Sequence, residues 1–307
     1  MSIDEALQKN ERQPRPFLID FYTDWCGWCK KMDAVTYNDK EVSMYINNNF
    51  YPVKFDAEGK DTVVFQGKTY VNPGKTHQFT GHLLGKKISY PSTIFMDDEL
   101  KNRLLVPGFL KPDKIAPFLS FYNDKVYTST NINDFRDLFE ETFEEERSVS
   151  ETVEWYTLEE AWAANEKNPR KIYVYFSDPH SVAGRIMDST VFTKPEIVHY
   201  LNESYYPVRF NVMEQDTITI GDQELINNPQ DGPYHQFVLG TLKQDVRFPA
   251  ALFINEKNQV ISPVAQFMTP QLAEVALHFF KDDHFKNTSF QDFYQEYTSG
   301  KEEDNEQ

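Results

Sequence analysis

The sequence predicts an α/β protein built from two tandem copies of one domain, each a mixed central sheet flanked by helices. Three observations carry the prediction. The chain repeats itself in order, β-type runs alternate with helical patterns inside each copy, and 307 residues with 40% apolar and 15% aromatic content supply about two cores of roughly 150 residues.

Each copy opens with a hydroxyl followed three residues later by glutamate, Ser2 with Glu5 and Thr157 with Glu160, the pattern of a capping-box helix start. Next come strands rich in β-branched and aromatic residues, Leu18-Ile-Asp-Phe-Tyr-Thr-Asp24 against Ile172-Tyr-Val-Tyr-Phe-Ser-Asp178. This alignment sets Asp20 against Val174 and leaves one extra residue in the second copy before its next helix. Asn47-Asn-Asn-Phe-Tyr-Pro-Val-Lys-Phe55 then repeats as Asn202-Glu-Ser-Tyr-Tyr-Pro-Val-Arg-Phe210, and His77-Gln-Phe79 as His235-Gln-Phe237. Tyr90-Pro-Ser-Thr-Ile-Phe95 recurs as Phe248-Pro-Ala-Ala-Leu-Phe253, and each copy closes on a proline-led helix, from Pro112 and from Pro270. The long stretch 56–89 of the first copy contains a hairpin over 62–71 turned at Gln66-Gly67, and Asp97-Asp-Glu99 turns the chain between the last two strands. The expected domains are 1–145 and 153–298, joined by an acidic and polar linker at 146–152 and followed by a disordered acidic tail at 299–307.

Charge and composition exclude several functions. With 31 basic and 48 acidic residues the net charge is −17, which disfavours nucleic acid and anionic membrane surfaces as partners. No run approaches the roughly 18 apolar residues of a membrane span, and Met1-Ser-Ile-Asp-Glu-Ala-Leu-Gln-Lys9 has neither the basic start nor the apolar core of a signal peptide. The chain as it stands reads as cytoplasmic, or as periplasmic or exported if its N-terminus has been trimmed. Oligomeric state is not legible.

The only two cysteines form the pair Cys26-Gly-Trp-Cys29, directly after the first β-type run and at the start of a helical pattern. Two cysteines are too few for a disulfide scaffold. A sulfur at a helix N-terminus is favoured as thiolate by unpaired N–H groups and the helix dipole, so Cys26 is expected to be exposed, low in pKa and nucleophilic. Cys29, one turn on, lies on the same helix face and can resolve a mixed disulfide. Asp20 sits mid-strand among Leu18, Ile19, Phe21 and Tyr22, where burial raises a carboxyl pKa and suits it to take the Cys29 proton. Trp25 and Trp28 flank the pair as candidate anchors for extended peptides.

Residues 18–22, Trp25-Cys-Gly-Trp-Cys-Lys30, Lys54 and Pro91 together resemble the thioredoxin superfamily over most of residues 1–125. The resemblance implies two thioredoxin-like domains, Cys26 as nucleophile, Cys29 as resolving thiol, Asp20 as buried proton-handling acid, and a cis peptide at Tyr90-Pro91 beside the substrate. Trp28 stands where thioredoxins carry proline, so their reduction potential does not transfer. The second copy lacks cysteine, keeps proline at Pro249, and is expected to be redox-inactive.

A zinc site made of Cys26, Cys29, His77 and His82 is the chemical rival, but His77 recurs as His235 in the copy without thiols, which points to a structural histidine. His180 and Ser181 in the second copy have no evident acid partner for nucleophilic catalysis. The reading is a thiol–disulfide oxidoreductase acting on protein disulfides, needing no cofactor or metal, with an unidentified electron donor and a second domain that binds clients. The alternative is a non-enzymatic redox-sensing assembly protein on the same scaffold.

Overall fold

The computed structural model describes residues 1–144, 152–220, 223–243 and 245–305. The chain divides into two compact units, Met1–Tyr127 and Thr128–Gln307.

Unit 1 runs α1 (Ile3–Arg12), β1 (Phe17–Tyr22), α2 (Gly27–Met32), α3 (Lys40–Asn49), β2 (Tyr51–Asp56), β3 (Val63–Phe65), β4 (Lys68–Tyr70), α4 (Gln78–Leu84), β5 (Ser92–Met96), β6 (Arg103–Pro107) and α5 (Pro112–Asn123). Its sheet has the order β2-β1-β5-β6, with β1 parallel to β2 and the other pairs antiparallel. An inner strand buried on both faces explains the nearly unbroken apolar run of β1. Phe17, Ile19 and Phe21 of β1 pack with Val53, Phe55, Phe79 and Ile94 in one core. The expected hairpin forms as β3 and β4, and Gln66 and Gly67 both take positive φ, 49° and 74°, as a two-residue loop that follows strand twist requires. Asp97, buried at the β5–β6 turn, accepts the backbone N–H groups of Lys101 and Asn102.

Unit 2 contains α6 (Ile132–Glu144), α7 (Leu158–Lys167), β7 (Lys171–Ser177), α8 (Val182–Thr190), α9 (Pro195–Ser204), β8 (Tyr205–Asn211), β9 (Ile218–Ile220), β10 (Gln223–Leu225), α10 (Gln236–Leu242), β11 (Ala250–Ile254), β12 (Val260–Val264), α11 (Pro270–Lys281) and α12 (Phe290–Asn305). The sheet order β12-β11-β7-β8 repeats that of unit 1, strand for strand.

Several details differ from expectation. Thr157 and Glu160 form a complete capping box, but in unit 1 only the Ser2 half forms, because the Glu5 carboxylate pairs with Lys9 at 2.8 Å. Helix α6 falls inside the expected first domain yet belongs to the second compact unit. Its Phe135, Phe139 and Phe143 recur every fourth residue as one apolar stripe, and Phe135 is buried against Phe267. The expected linker, apart from Thr152, lies outside the described residues. The stretch 299–305, expected to be disordered, continues α12: Phe293 packs on Phe279, the Tyr297 hydroxyl donates to Glu274, and Lys301 pairs with the same carboxylate. A helix anchored this way adds residues at little nucleation cost. Residues 306–307 lie outside the described chain.

The repeat also aligns differently from the sequence reading. Pro52 faces Leu18 across β2 and β1, whereas its counterpart Pro207 faces Tyr173. One constant offset therefore relates the units from α1 through β2, with no extra residue, and the partner of Asp20 is Tyr175 rather than Val174. Opposite β5 and β11 the match holds, since Asp20 faces Thr93 and Tyr175 faces Ala251. The sequence alignment slipped by one because apolar strand residues resemble their neighbours, and a one-residue slip moves every side chain to the other face.

Candidate active site

The chain leaves β1 through Thr23, whose carbonyl accepts the Cys26 N–H at 3.1 Å, and enters α2 with Cys26 as N-cap. Cys26 Sγ is bonded to Cys29 Sγ and accepts the Cys29 N–H at 3.0 Å. One turn along α2, the Asp33 N–H donates to the Cys29 carbonyl, so Cys29 and Asp33 share a face. A single π-type turn, Asp33–Tyr37, follows and carries Tyr37 inward, where its hydroxyl meets Thr93 Oγ1 at 3.2 Å.

The expectation of an exposed Cys26 is not met in this disulfide form, in which Cys26 is 4% exposed. Its sulfur is turned onto the first turn of α2 by the bond to Cys29. What stands out instead is the aromatic rim, Trp25 at 68% and Trp28 at 57% exposure. Trp25 sits edge-on to Tyr90 with centroids 6.0 Å apart, and its indole N–H donates to Glu58 at 3.2 Å. Trp28 packs on Phe109 at 5.6 Å, with the Lys31 ammonium 4.7 Å from the Trp28 ring centre. The Tyr90-Pro91 peptide is cis, as is Phe248-Pro249, and the Pro91 carbonyl accepts the Gly108 N–H at 2.8 Å.

Asp20 is 5% exposed on the inner strand β1, between Lys54 on β2 and Thr93 on β5, and its Oδ1 has no hydrogen-bond partner. Burial pushes its pKa up to about 7, helped by the Asp33 charge and opposed by Lys54. Lys54 pairs with Asp33. Asp20, Asp33, Tyr37, Ile46, Pro52 and Lys54 line a crevice of about 220 Å³. The structure thus joins Cys26 to Cys29 and Trp25 to Tyr90, and sets Asp20 in a charged crevice with Asp33 from the Cys29 helix.

Sequence reasoning missed Asp33, Tyr37, Glu58 and Phe109. The repeat held a signal for two of them: Asp33 recurs as Asp188, which pairs with Arg209 where unit 1 has Lys54, and Phe109 recurs as Phe267.

His77 is 1% exposed and caps α4, its Nδ1 accepting the Phe79 N–H at 3.0 Å while Nε2 lies 2.7 Å from the Asp61 carbonyl. His235 caps α10 in the same way. That is the structural role expected from the repeat.

In unit 2 the site is rebuilt without sulfur. Ser181 takes the Cys26 position and Gly184 that of Cys29, and the Gly184 N–H donates to Ser181 Oγ at 2.9 Å, the same first-turn cap. Tyr175, in place of Asp20, donates its hydroxyl to the Gly184 carbonyl at 3.2 Å. Helix α6 lies on α8, the counterpart of α2, and covers Phe267, the counterpart of Phe109.

A four-stranded mixed sheet, a disulfide capping the first turn of the helix after its inner strand, and a cis-proline before the next strand define a thioredoxin-like domain. Residues 3–123 match the family model described as a thioredoxin-like domain. The chain is 42% identical over 40 residues to the thiol:disulfide interchange protein DsbD of Ralstonia nicotianae, covering 13% of this chain and 7% of that protein. It is 40% identical over 57 residues to the chloroplastic thioredoxin Y of Oryza sativa, covering 19% and 30% respectively. The chain thus spans under a third of the length of these relatives. Among solved structures, the C-terminal domain of Neisseria meningitidis DsbD in the reduced form has a TM-score of 0.29 and 22% identity, covering 39% of this chain and 93% of that one. No helix among the described residues is long and apolar enough to cross a membrane.

Proposed function

We propose that this protein is a thiol–disulfide oxidoreductase acting on protein disulfides through Cys26 and Cys29. The observation that carries the reading is the Cys26–Cys29 disulfide at the N-cap of α2, set in an aromatic rim within a thioredoxin-like domain. In the reductive direction the Cys26 thiolate attacks a client disulfide, forming a Cys26–client bond and releasing one client thiolate. Cys29 gives its proton to Asp20, attacks Cys26 Sγ and releases the second client thiolate, so the client gains the two electrons that the dithiol loses. A carboxyl with a pKa near 7 is matched to a proton transfer near neutral pH. Trp25, Trp28 and Tyr90 hold the client segment, and an unidentified electron donor restores the reduced state.

Unit 2, which lacks both thiols and the acid, contributes binding rather than chemistry. Because α6 lies on α8 and covers Phe267, the counterpart of Phe109, recruitment would use surfaces of unit 2 other than that side of the rim, and linkage to unit 1 would raise the client concentration at Cys26.

Insulin-disulfide reduction tests the oxidoreductase reading: turnover that is lost in Cys26→Ser supports it, and its absence favours the redox-sensing alternative. Residues 1–127, once shown to fold, should reduce a small disulfide as fast as the whole chain but protein clients more slowly.

A further inference from the structure

Thr93 of β5 stands directly opposite Asp20 of β1, so the two side chains share one face of the sheet with Cβ atoms about 5 Å apart. Thr93 is fully buried, and its Oγ1 lies 3.2 Å from the Tyr37 hydroxyl. Burial, and after it the charge of Asp20, holds that phenol protonated well above the usual tyrosine range. Two hydroxyls carry two hydrogens, and the bond between them uses one. Among the described residues neither hydroxyl has another hydrogen-bond partner, so one O–H is left without an acceptor. Beside it, Asp20 Oδ1 is a buried acceptor without a donor. The spare hydrogen and the spare lone pair complement each other.

Unit 2 shows which parts of this cluster go with the thiols. The ion pair of Lys54 with Asp33 persists there as Arg209 with Asp188. The hydroxyls do not persist: Phe192 takes the place of Tyr37, and Ala251 faces Tyr175 as Thr93 faces Asp20. The Phe192 ring packs on Tyr175 with centroids 4.7 Å apart, and the Tyr175 hydroxyl donates to the Gly184 carbonyl. Unit 2 has thus lost both thiols, the acid and both hydroxyls together, while the ion pair and the strand frame stay. A role in the fold common to the two units would have kept a hydroxyl at either place; service to the acid accounts for the loss of both.

We infer that Thr93 and Tyr37 are positioning residues for the proton transfer from Cys29 to Asp20: Tyr37 donates to Thr93 Oγ1, and Thr93 turns its own O–H to Asp20 when the carboxyl is ionised. The inference rests on the oxidoreductase reading for its use, and on the buried hydroxyls for its geometry. A hydrogen bond to the charged form favours that form, and the Tyr37 bond polarises the Thr93 O–H and strengthens its donation. The pair therefore opposes the burial that protonates Asp20, and keeps a carboxylate ready with one oxygen held by Thr93 and the other free to accept the Cys29 proton. The charged groups that face Asp20 are Asp33, from the turn after the Cys29 helix, and Lys54 on β2, while β5 presents the neutral Thr93. No covalent bond changes at either hydroxyl, and the one proton moved passes from Cys29 Sγ to the Asp20 carboxylate.

The test titrates the Asp20 side-chain carboxyl by carbon-13 NMR in the oxidised full chain, its resonance being the one lost in Asp20→Asn. Thr93→Val, close in shape and still β-branched, should raise the midpoint by about half a pH unit or more, because a donor to the carboxylate is gone. Tyr37→Phe should raise it by less, the double variant by no more than Thr93→Val alone, and Thr93→Ser, which keeps the hydroxyl, should stay near the wild type. In the reduced protein, resolution of a mixed disulfide between Cys26 and glutathione should shift its pH profile upward in the same order of variants. A purely structural role would lower stability and leave the midpoint where it is. A midpoint unmoved in Thr93→Val, a Thr93→Ser midpoint displaced as far as that of Thr93→Val, or additive shifts in the double variant would overturn the inference. Failure of the wild type to resolve the glutathione disulfide would instead remove the oxidoreductase reading, and the titration would still judge the hydroxyls.

Discussion

Replacing Asp20 with asparagine should stabilise the oxidised protein above neutral pH and leave it unchanged in acid. Asp20 rises from 3.8 to about 7 on folding, chiefly through burial, and it is nearly inaccessible to solvent. At about 1.4 kcal/mol per pKa unit, the ionised carboxylate destabilises the native state by up to about 4 kcal/mol. Below pH 4 the carboxyl is neutral in both states and the cost vanishes. Between pH 4 and 7 the native state keeps a proton that the unfolded chain has released, so this group makes stability fall as pH rises, and the loss is complete above about pH 7. Asp20→Asn removes the titration, so its advantage should be near zero at pH 4 and about 2–4 kcal/mol at pH 8, allowing for the buried carboxamide. Urea unfolding at pH 4, 6 and 8, followed by pulse hydrogen exchange and mass spectrometry of the β1 peptide, reads unit 1 separately from unit 2, which a single global transition would not. An advantage that does not change with pH, or a variant less stable at pH 8, would refute the raised carboxyl.

The same substitution should slow resolution of a mixed disulfide between pH 6 and 9, and unchanged stopped-flow kinetics would remove Asp20 from the proton path. In the reduced protein, iodoacetamide at about pH 6 should label Cys26 well before Cys29, because Cys26 caps α2; equal labelling by mass spectrometry counts against the assignment. Cys29→Ser should leave client proteins bound to Cys26 as long-lived mixed disulfides on non-reducing gels, whereas wild-type turnover by that variant would exclude the dithiol route. His77→Ala should cost about 1–2 kcal/mol by removing the α4 cap from a buried site, and zinc added to the reduced wild-type chain should not raise its stability; a zinc-dependent stabilisation of the wild type that His77→Ala loses would revive the metal reading.

The parts of this protein that were legible in the sequence are those set by local pattern. A hydroxyl three residues before glutamate, proline at helix starts, Gln66-Gly67 between short strands and a lone C-x-x-C after an apolar run each act within a few residues, so the elements, the internal repeat and the two sulfurs could be read directly. Asp20 was legible too, because a carboxylate inside an apolar strand is costly unless it has a use. Tertiary structure decided whatever depends on register and coverage. Strand pairing moved the Asp20 counterpart from Val174 to Tyr175, since similar apolar residues align equally well at two registers and only interstrand hydrogen bonds distinguish them. Packing assigned α6 to unit 2 and buried Cys26 in the disulfide form, because an apolar stripe or a thiol does not state which surface will cover it. The crevice beside Asp20 also arises only in three dimensions, where Asp33, Tyr37 and Lys54, distant from Asp20 along the chain, converge around one inner strand.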